Sequence, residues 1–149
     1  MAAVADWSQH SLDALVNNFS PGGIYGIQWQ LQGDKLKLES HYNPQWRIDA
    51  VKSKGLNGLY TERSATYEFN VGQGYVGKTF AKQEAIFVKD LQSLSEESVK
   101  DCWQFGDAME FLRGDLAKEF DVHSAIFLPL PNGVLEVGSA ALLPSIPSY

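Results

Sequence analysis

Gly72-Gln73-Gly74-Tyr75-Val76-Gly77-Lys78-Thr79 fits two nucleotide-binding patterns at once, the dinucleotide fingerprint G-x-G-x-x-G and the phosphate loop G-x-x-x-x-G-K-[ST]. In either site, backbone N–H groups and a helix N-terminus converge on phosphate, Lys78 would supply a point charge, and Asp90 would be offered to a ribose or a metal. Both sites need a buried parallel strand before the glycines and a full helix after them. The flanks argue against this. Tyr67, Phe69 and Val71 alternate with Thr66, Glu68 and Asn70, the period-2 pattern of a strand with one wet face, which suits an antiparallel sheet. Downstream, roughly two turns of helix fit, about 76–82, before Ala85-Ile86-Phe87-Val88 reads as another strand. A right-handed parallel crossover needs about a dozen residues or more. The glycines are therefore read as a tight strand-to-helix turn packed close to the sheet, not as a phosphate cradle.

Thiol and metal chemistry have little to work with. Cys102 is the single cysteine, so an intrachain disulfide is impossible, and a reducing compartment, cytoplasm or nucleus, is expected. No G-x-S-x-G elbow is present, and His10, His41, His123 and Cys102 show no metal-ligand spacing. We expect no enzyme, no metal and no cofactor. Trp103, Phe105 and Met109 could line an apolar pocket, with Arg113 or His123 as polar anchors. The competing reading makes Trp103 and Met109 core, His123 a capped loop residue and Arg113 the partner of an acid on its own helix. Trp7, Trp46 and Tyr60 fall outside the best periodic segments and are candidates for an interaction surface, whether for dimerisation or docking. Their alternative is local packing of the 43–60 segment.

The elements that must position these residues follow from periodicity. A chain of 149 residues, 44% hydrophobic and 20% charged, is of a size and composition for one domain, 1–149, with 140–149 an extended, proline-containing tail. A formal charge of −6 without a Lys/Arg cluster argues against direct nucleic-acid binding. No apolar run is long enough for a membrane span. Leu12, Leu15, Val16 and Phe19 have helical spacing. Residues 24–31 and 35–42 read as a hairpin around Gly33-Asp34, with Tyr25, Ile27 and Trp29 on one face and Leu36 and Leu38 facing a core. Residues 43–60 read as an irregular or partly helical excursion. Ser95 caps a helix bearing Val99, Cys102 and Trp103. Ala108, Phe111, Leu112, Leu116 and Phe120 define a second helix over about 107–120. Residues 124–130 and 134–139 form a closing hairpin through Asn132-Gly133, a dipeptide suited to a two-residue type I′ turn. The order predicts an α+β fold, an antiparallel sheet flanked by helices.

Two segments resemble the GAF family of small-molecule sensor domains. One is Phe69 to Phe80 with Ile86-Phe87-Val88-Lys89-Asp90, similar to that family's glycine turn, short helix and following strand. The other is Arg113 and Leu116-Ala117-Lys118-Glu119-Phe120, followed by Ser124 to Leu130 and Gly133 to Gly138, similar to its last helix and closing hairpin. The likeness runs from about residue 67 to 139. Asn132 to Ser139 also resembles the GAF-like N-terminal domain of plant basic helix-loop-helix regulators, although no basic helix-loop-helix region is present to bind DNA. The resemblance implies a sensory or regulatory domain holding a small molecule between sheet and helices. The runner-up is a structural or docking subunit of a larger assembly without a ligand. Members that tether a bilin typically carry His directly after the tethering cysteine, where this chain has Trp103. Reduction of free methionine sulfoxide, another activity within the family, needs a nucleophilic and a resolving thiol. One cysteine cannot supply both.

Overall fold

In the computed structural model, Gly23–Gln32 (β1) and Lys35–Tyr42 (β2) pair antiparallel around the Gly33-Asp34 turn, as their alternation predicts. The structure describes residues 16, 23–56, 58–88, 91 and 116–140. The remaining strands are Glu68–Asn70 (β3), Ile86–Val88 (β4), Ser124–Leu130 (β5) and Gly133–Ser139 (β6). They join a six-stranded sheet of order β3-β2-β1-β6-β5-β4, with every neighbouring pair antiparallel. The fold is α+β, as expected.

The glycine segment confirms the reading against a phosphate loop. Its preceding strand, β3, is antiparallel to β2 at a sheet edge, and its helix, Gly74–Lys82 (α3), leads to β4 at the opposite edge. Three of the loop N–H groups are already engaged: Gly72 N–H donates to the Gly77 carbonyl, Gln73 N–H to Asn70 and Gly77 N–H to Gln73, each at 2.9 Å. The Gln73 side chain accepts from Asn70 N–H at 2.8 Å instead of capping the helix. At Gly77, a Cβ would lie 2.2 Å from the Asn70 carbonyl oxygen, so only glycine permits this approach of helix to strand. Lys78 is half-buried. Val71, expected on the inner face, lies beyond β3 in the turn and is 46% exposed, because the strand ends at Asn70.

The excursion at 43–60 is more ordered than its composition suggests. Gln45–Ser53 forms a helix (α1), and Tyr60–Ser64 a second, shorter one (α2). Helix α1 buries only Arg47 and Val51, too thin an apolar stripe to register as periodicity. It is fixed by polar contacts. The Arg47 guanidinium, 7% exposed, donates to the Phe120 carbonyl at the end of the helical residues 116–119, and the Lys54 ammonium pairs with Asp121. Arg63 adds a 3.0 Å pair with Glu119 and lies 5.9 Å from the centre of the Phe120 ring. Asn43 donates to the Thr61 hydroxyl at 2.8 Å. The excursion is thus a clamp on a helix terminus, where cations and donors meet free carbonyls.

Two apolar layers sandwich the middle of the sheet. The inner layer contains Tyr25, Ile27, Trp29, Leu36, Phe69 and Phe127, covered by Tyr60, Tyr75, Val76, Ala117 and Phe120. On the other face, Val16 packs with Ile126, Leu128, Leu130, Leu135 and Val137. Every residue of β5 and β6 is therefore buried. The outer side of β1 and β2 carries Gln28, Gln30, Lys37 and Ser40, which are half-buried or exposed.

Candidate functional site

The inner face of the sheet holds one acid at its centre. Glu136 lies midway along β6, between Ile27 of β1 and Phe127 of β5, and has no solvent exposure. Tyr25 and Trp29 stand two positions either side of Ile27 and project to the same face. Tyr25 Oη donates to Glu136 Oε2 at 2.5 Å, and Trp29 Nε1 donates to Glu136 Oε1 at 3.0 Å. Each carboxylate oxygen therefore receives a bond from a different aromatic side chain.

Small residues make room for this arrangement. Tyr25 pairs across strands with Gly138, where a Cβ would come 2.0 Å from the ring atom Cε2, so the ring lies flat over the strand only because position 138 has no side chain. The same rings anchor the surrounding layer. Tyr25 meets Tyr60 at 4.8 Å between centroids, Trp29 meets the edge of Phe69 at 5.2 Å, Tyr60 meets Phe120 at 6.3 Å, and Tyr75 stacks on Phe127 at 5.7 Å. These separations suit favourable aromatic contacts. The site is a buried acid in an aromatic box, with each of its oxygens held by one of the surrounding rings.

At the margin, burial pushes the Arg47 guanidinium below its ordinary value, opposed by the charge of Asp121. Asp121 is held below the usual carboxylate range, first by the hydrogen bond from Lys54, with desolvation opposing and the charges of Lys54, Arg47 and His123 assisting. This cluster holds the helix end. It is not apposed to Glu136 by any contact described above.

Of the residues singled out from sequence, Trp7, Trp103, Phe105, Met109 and Arg113 lie outside the described residues, as do Cys102, His10, Lys89 and Asp90. His123 is half-buried just before β5; its N–H donates to Ser139 at 2.9 Å and its carbonyl accepts from Leu91 at 2.6 Å. Tyr60 does not share an exposed patch with Trp46. Tyr60 is 5% exposed within the inner aromatic layer, whereas Trp46 on α1 is 57% exposed. Sequence reasoning missed Glu136, Tyr25 and Trp29 as a site. Their signal was a lone acid in an otherwise apolar closing strand. Among the described residues no group of His, Cys, Asp and Glu is arranged to hold a metal, and no helix is long and apolar enough to cross a membrane.

Comparison with known proteins agrees with this architecture. No family model matches the sequence. The chain is similar to the Anthocyanin regulatory Lc protein of Zea mays, 30% identical over 84 residues, which is 56% of this chain but only 12% of that protein. Among solved structures, it is similar to the GAF domain region of a putative membrane protein from Geobacter sulfurreducens, with 16% identity, TM-score 0.57, and coverage of 96% of this chain and 80% of the other. It is also similar to the hypothetical protein SA1058 of S. aureus, at 13% identity and TM-score 0.55 over 91% of this chain and 95% of that one. A type II free methionine-R-sulfoxide reductase from Thermoplasma acidophilum has 16% identity and TM-score 0.52, over 95% of this chain and 77% of that one. At these identities the likeness concerns architecture, and the six-stranded antiparallel sheet with its inner helical cover is the GAF-like fold.

Proposed function

We propose that this chain is a non-enzymatic sensory or regulatory domain that binds a small molecule on the inner face of the sheet, with Trp103, Phe105, Met109, Arg113 and His123 contributing from the segments around it. Glu136 carries the proposal. An acid buried in an apolar layer is costly unless specific partners compensate it. Binding sites use the same arrangement, a mostly apolar lining with a few placed polar groups. The regulatory half of the reading is supported by the GAF-domain relative and by the Lc protein's description as regulatory. The non-enzymatic half is supported by the single cysteine, since a thiol-based reductase needs a second thiol to regenerate the first. A reducing, cytoplasmic setting fits that cysteine.

The test is a metabolite screen by thermal shift on the whole chain. Compounds that bind the folded state raise its midpoint in proportion to occupancy. Glu136→Gln should remove the shift, and Met109→Trp should do so by filling the space. If no compound shifts the wild type, or if shifts survive both substitutions, this reading fails.

A docking role has its own supporting observation in Trp46. It projects 57% exposed from a helix that Arg47 and Lys54 fix in place, and rigid exposed tryptophans are common interface anchors. On this second reading a partner protein or a second copy covers Trp46, with Trp7 assisting. Trp46→Glu should then abolish association without moving the melting midpoint.

A further inference from the structure

The side of the sheet opposite Glu136 carries an open groove of about 270 Å³, lined by Gln28 and Gln30 of β1 and by Leu130, Pro131, Asn132 and Gly133 of the closing hairpin. Gln28 and Gln30 alternate with the inward Ile27 and Trp29, so their side chains belong to the outer face. Three of the lining residues are carboxamides and none is ionisable. A carboxamide presents both an N–H donor and a C=O acceptor, the two halves of a peptide group. Lys37, opposite Gln30 on β2, is engaged by Glu68 at 3.2 Å. Gln28 accepts from Ser40 at 3.4 Å through its carbonyl oxygen, which leaves its amide N–H groups as donors.

Dimensions narrow the occupant further. Same-face positions on a strand repeat about every 6.4–6.8 Å, and the peptide groups of like orientation in an extended chain laid along that strand repeat at the same interval. Small-molecule sites usually enclose about 300–1,000 Å³. A smaller, open groove suits a stretch of chain passing through it. Leu130 and Pro131 supply apolar contact between the amides. We propose that this outer groove binds an extended, uncharged peptide segment of a partner protein, with Gln28, Gln30 and Asn132 bonding its backbone over Leu130 and Pro131. This surface is independent of the inner-face reading.

A phage-displayed library of random nonapeptides, panned against the 149-residue chain, provides the probe. Enriched peptides should lack charged residues at their central positions and should shift the side-chain amide NMR signals of Gln28, Gln30 and Asn132. Loss of two neutral hydrogen bonds corresponds to about tenfold weaker binding in the Gln28→Ala/Gln30→Ala variant. Gln28→Glu/Gln30→Glu keeps side-chain size, provides a second variant should the first fold poorly, and should abolish binding. Lys52→Ala, at an exposed position of α1 away from the groove, should leave peptide affinity unchanged. The proposal is overturned if panning enriches nothing above an unrelated control protein, if the selected peptides are charged, or if their affinity survives both double substitutions.

Discussion

Tyr25→Phe tests whether the buried acid is held as the geometry implies. The substitution keeps the ring that packs on Tyr60 and over Gly138, so apolar burial changes little. What disappears is the 2.5 Å bond to Glu136 Oε2, a donor to a carboxylate with no solvent exposure. Hydrogen bonds to charged groups contribute roughly 1.5–3 kcal/mol, and water cannot readily replace this one at a fully buried oxygen. For a chain of this length, each kcal/mol moves the thermal midpoint by about 2–4 °C, so the expected fall is roughly 3–12 °C. Glu136→Gln should also destabilise, because one face of its amide presents N–H to an aromatic donor. The double variant should lose less than the sum of the two. Calorimetric melts of the four proteins give the coupling directly. If Tyr25→Phe melts within half a kcal/mol of wild type, or if the two losses add to within about 0.3–0.5 kcal/mol, the bond is not an organising contact and the reasoning fails.

Three further outcomes are expected. Neither wild type nor Lys78→Ala should bind magnesium-ATP by titration calorimetry, because the glycines follow an antiparallel edge strand and the Gly72, Gln73 and Gly77 N–H groups are engaged by backbone carbonyls; a magnesium-dependent heat abolished by Lys78→Ala would refute this. Gly77→Ala should destabilise by about 1–3 kcal/mol in urea denaturation, since its Cβ would lie 2.2 Å from the Asn70 carbonyl; an unchanged midpoint would show that the helix shifts freely. Asp121 is depressed chiefly by its bond from Lys54, so the pair stabilises above the unfolded carboxylate value of about 3.9 and that contribution disappears as pH falls through the lower folded value. Both partners are about half exposed, which limits the effect to less than about 1 kcal/mol. Lys54→Ala should therefore lower the midpoint slightly at pH 7 and converge with wild type in acid, whereas a pH-independent gap would contradict the assignment.

Legibility in the sequence followed the strength of local signals. Both hairpins were readable from their alternation, and the observed strands extend those limits by a residue or so. The Gly33-Asp34 turn stands as read, but the closing turn falls at Pro131-Asn132: Gly133 already pairs with Leu130 in β6, and neither Asn132 nor Gly133 has the positive φ that a type I′ turn requires. The antiparallel reading of the glycine segment rested on one wet face at Glu68 and Asn70, and β3 has that pattern. Helix α1 was obscure for a physical reason: its attachment is a buried guanidinium on a distant carbonyl, a tertiary contact between residues 47 and 120 that leaves no periodic trace. Tyr60 was misleading for a related reason. It stands at the start of a five-residue helix and owes its burial to Tyr25 and Phe120, both far away in sequence.

Glu136 was the harder case, because an acid within Val134-Leu135-Glu136-Val137 has two opposite meanings. In a half-wet strand it marks the solvent side, and alternation with Leu135 and Val137 invites that reading. The sheet order reverses it. With β6 placed between β1 and β5, and apolar layers on both faces, the position opposite the Leu135–Val137 side is the centre of the inner core. Burial then imposes requirements on other residues: donors at Tyr25 and Trp29, and a glycine at 138 beneath the tyrosine ring. The sequence contains all three, but the strand pairing that connects them spans more than a hundred residues. Their joint presence gives the Glu136 assignment its force, because one acid in a strand can be incidental, whereas an acid with two dedicated donors and a glycine fitted to one of them constrains four positions at once.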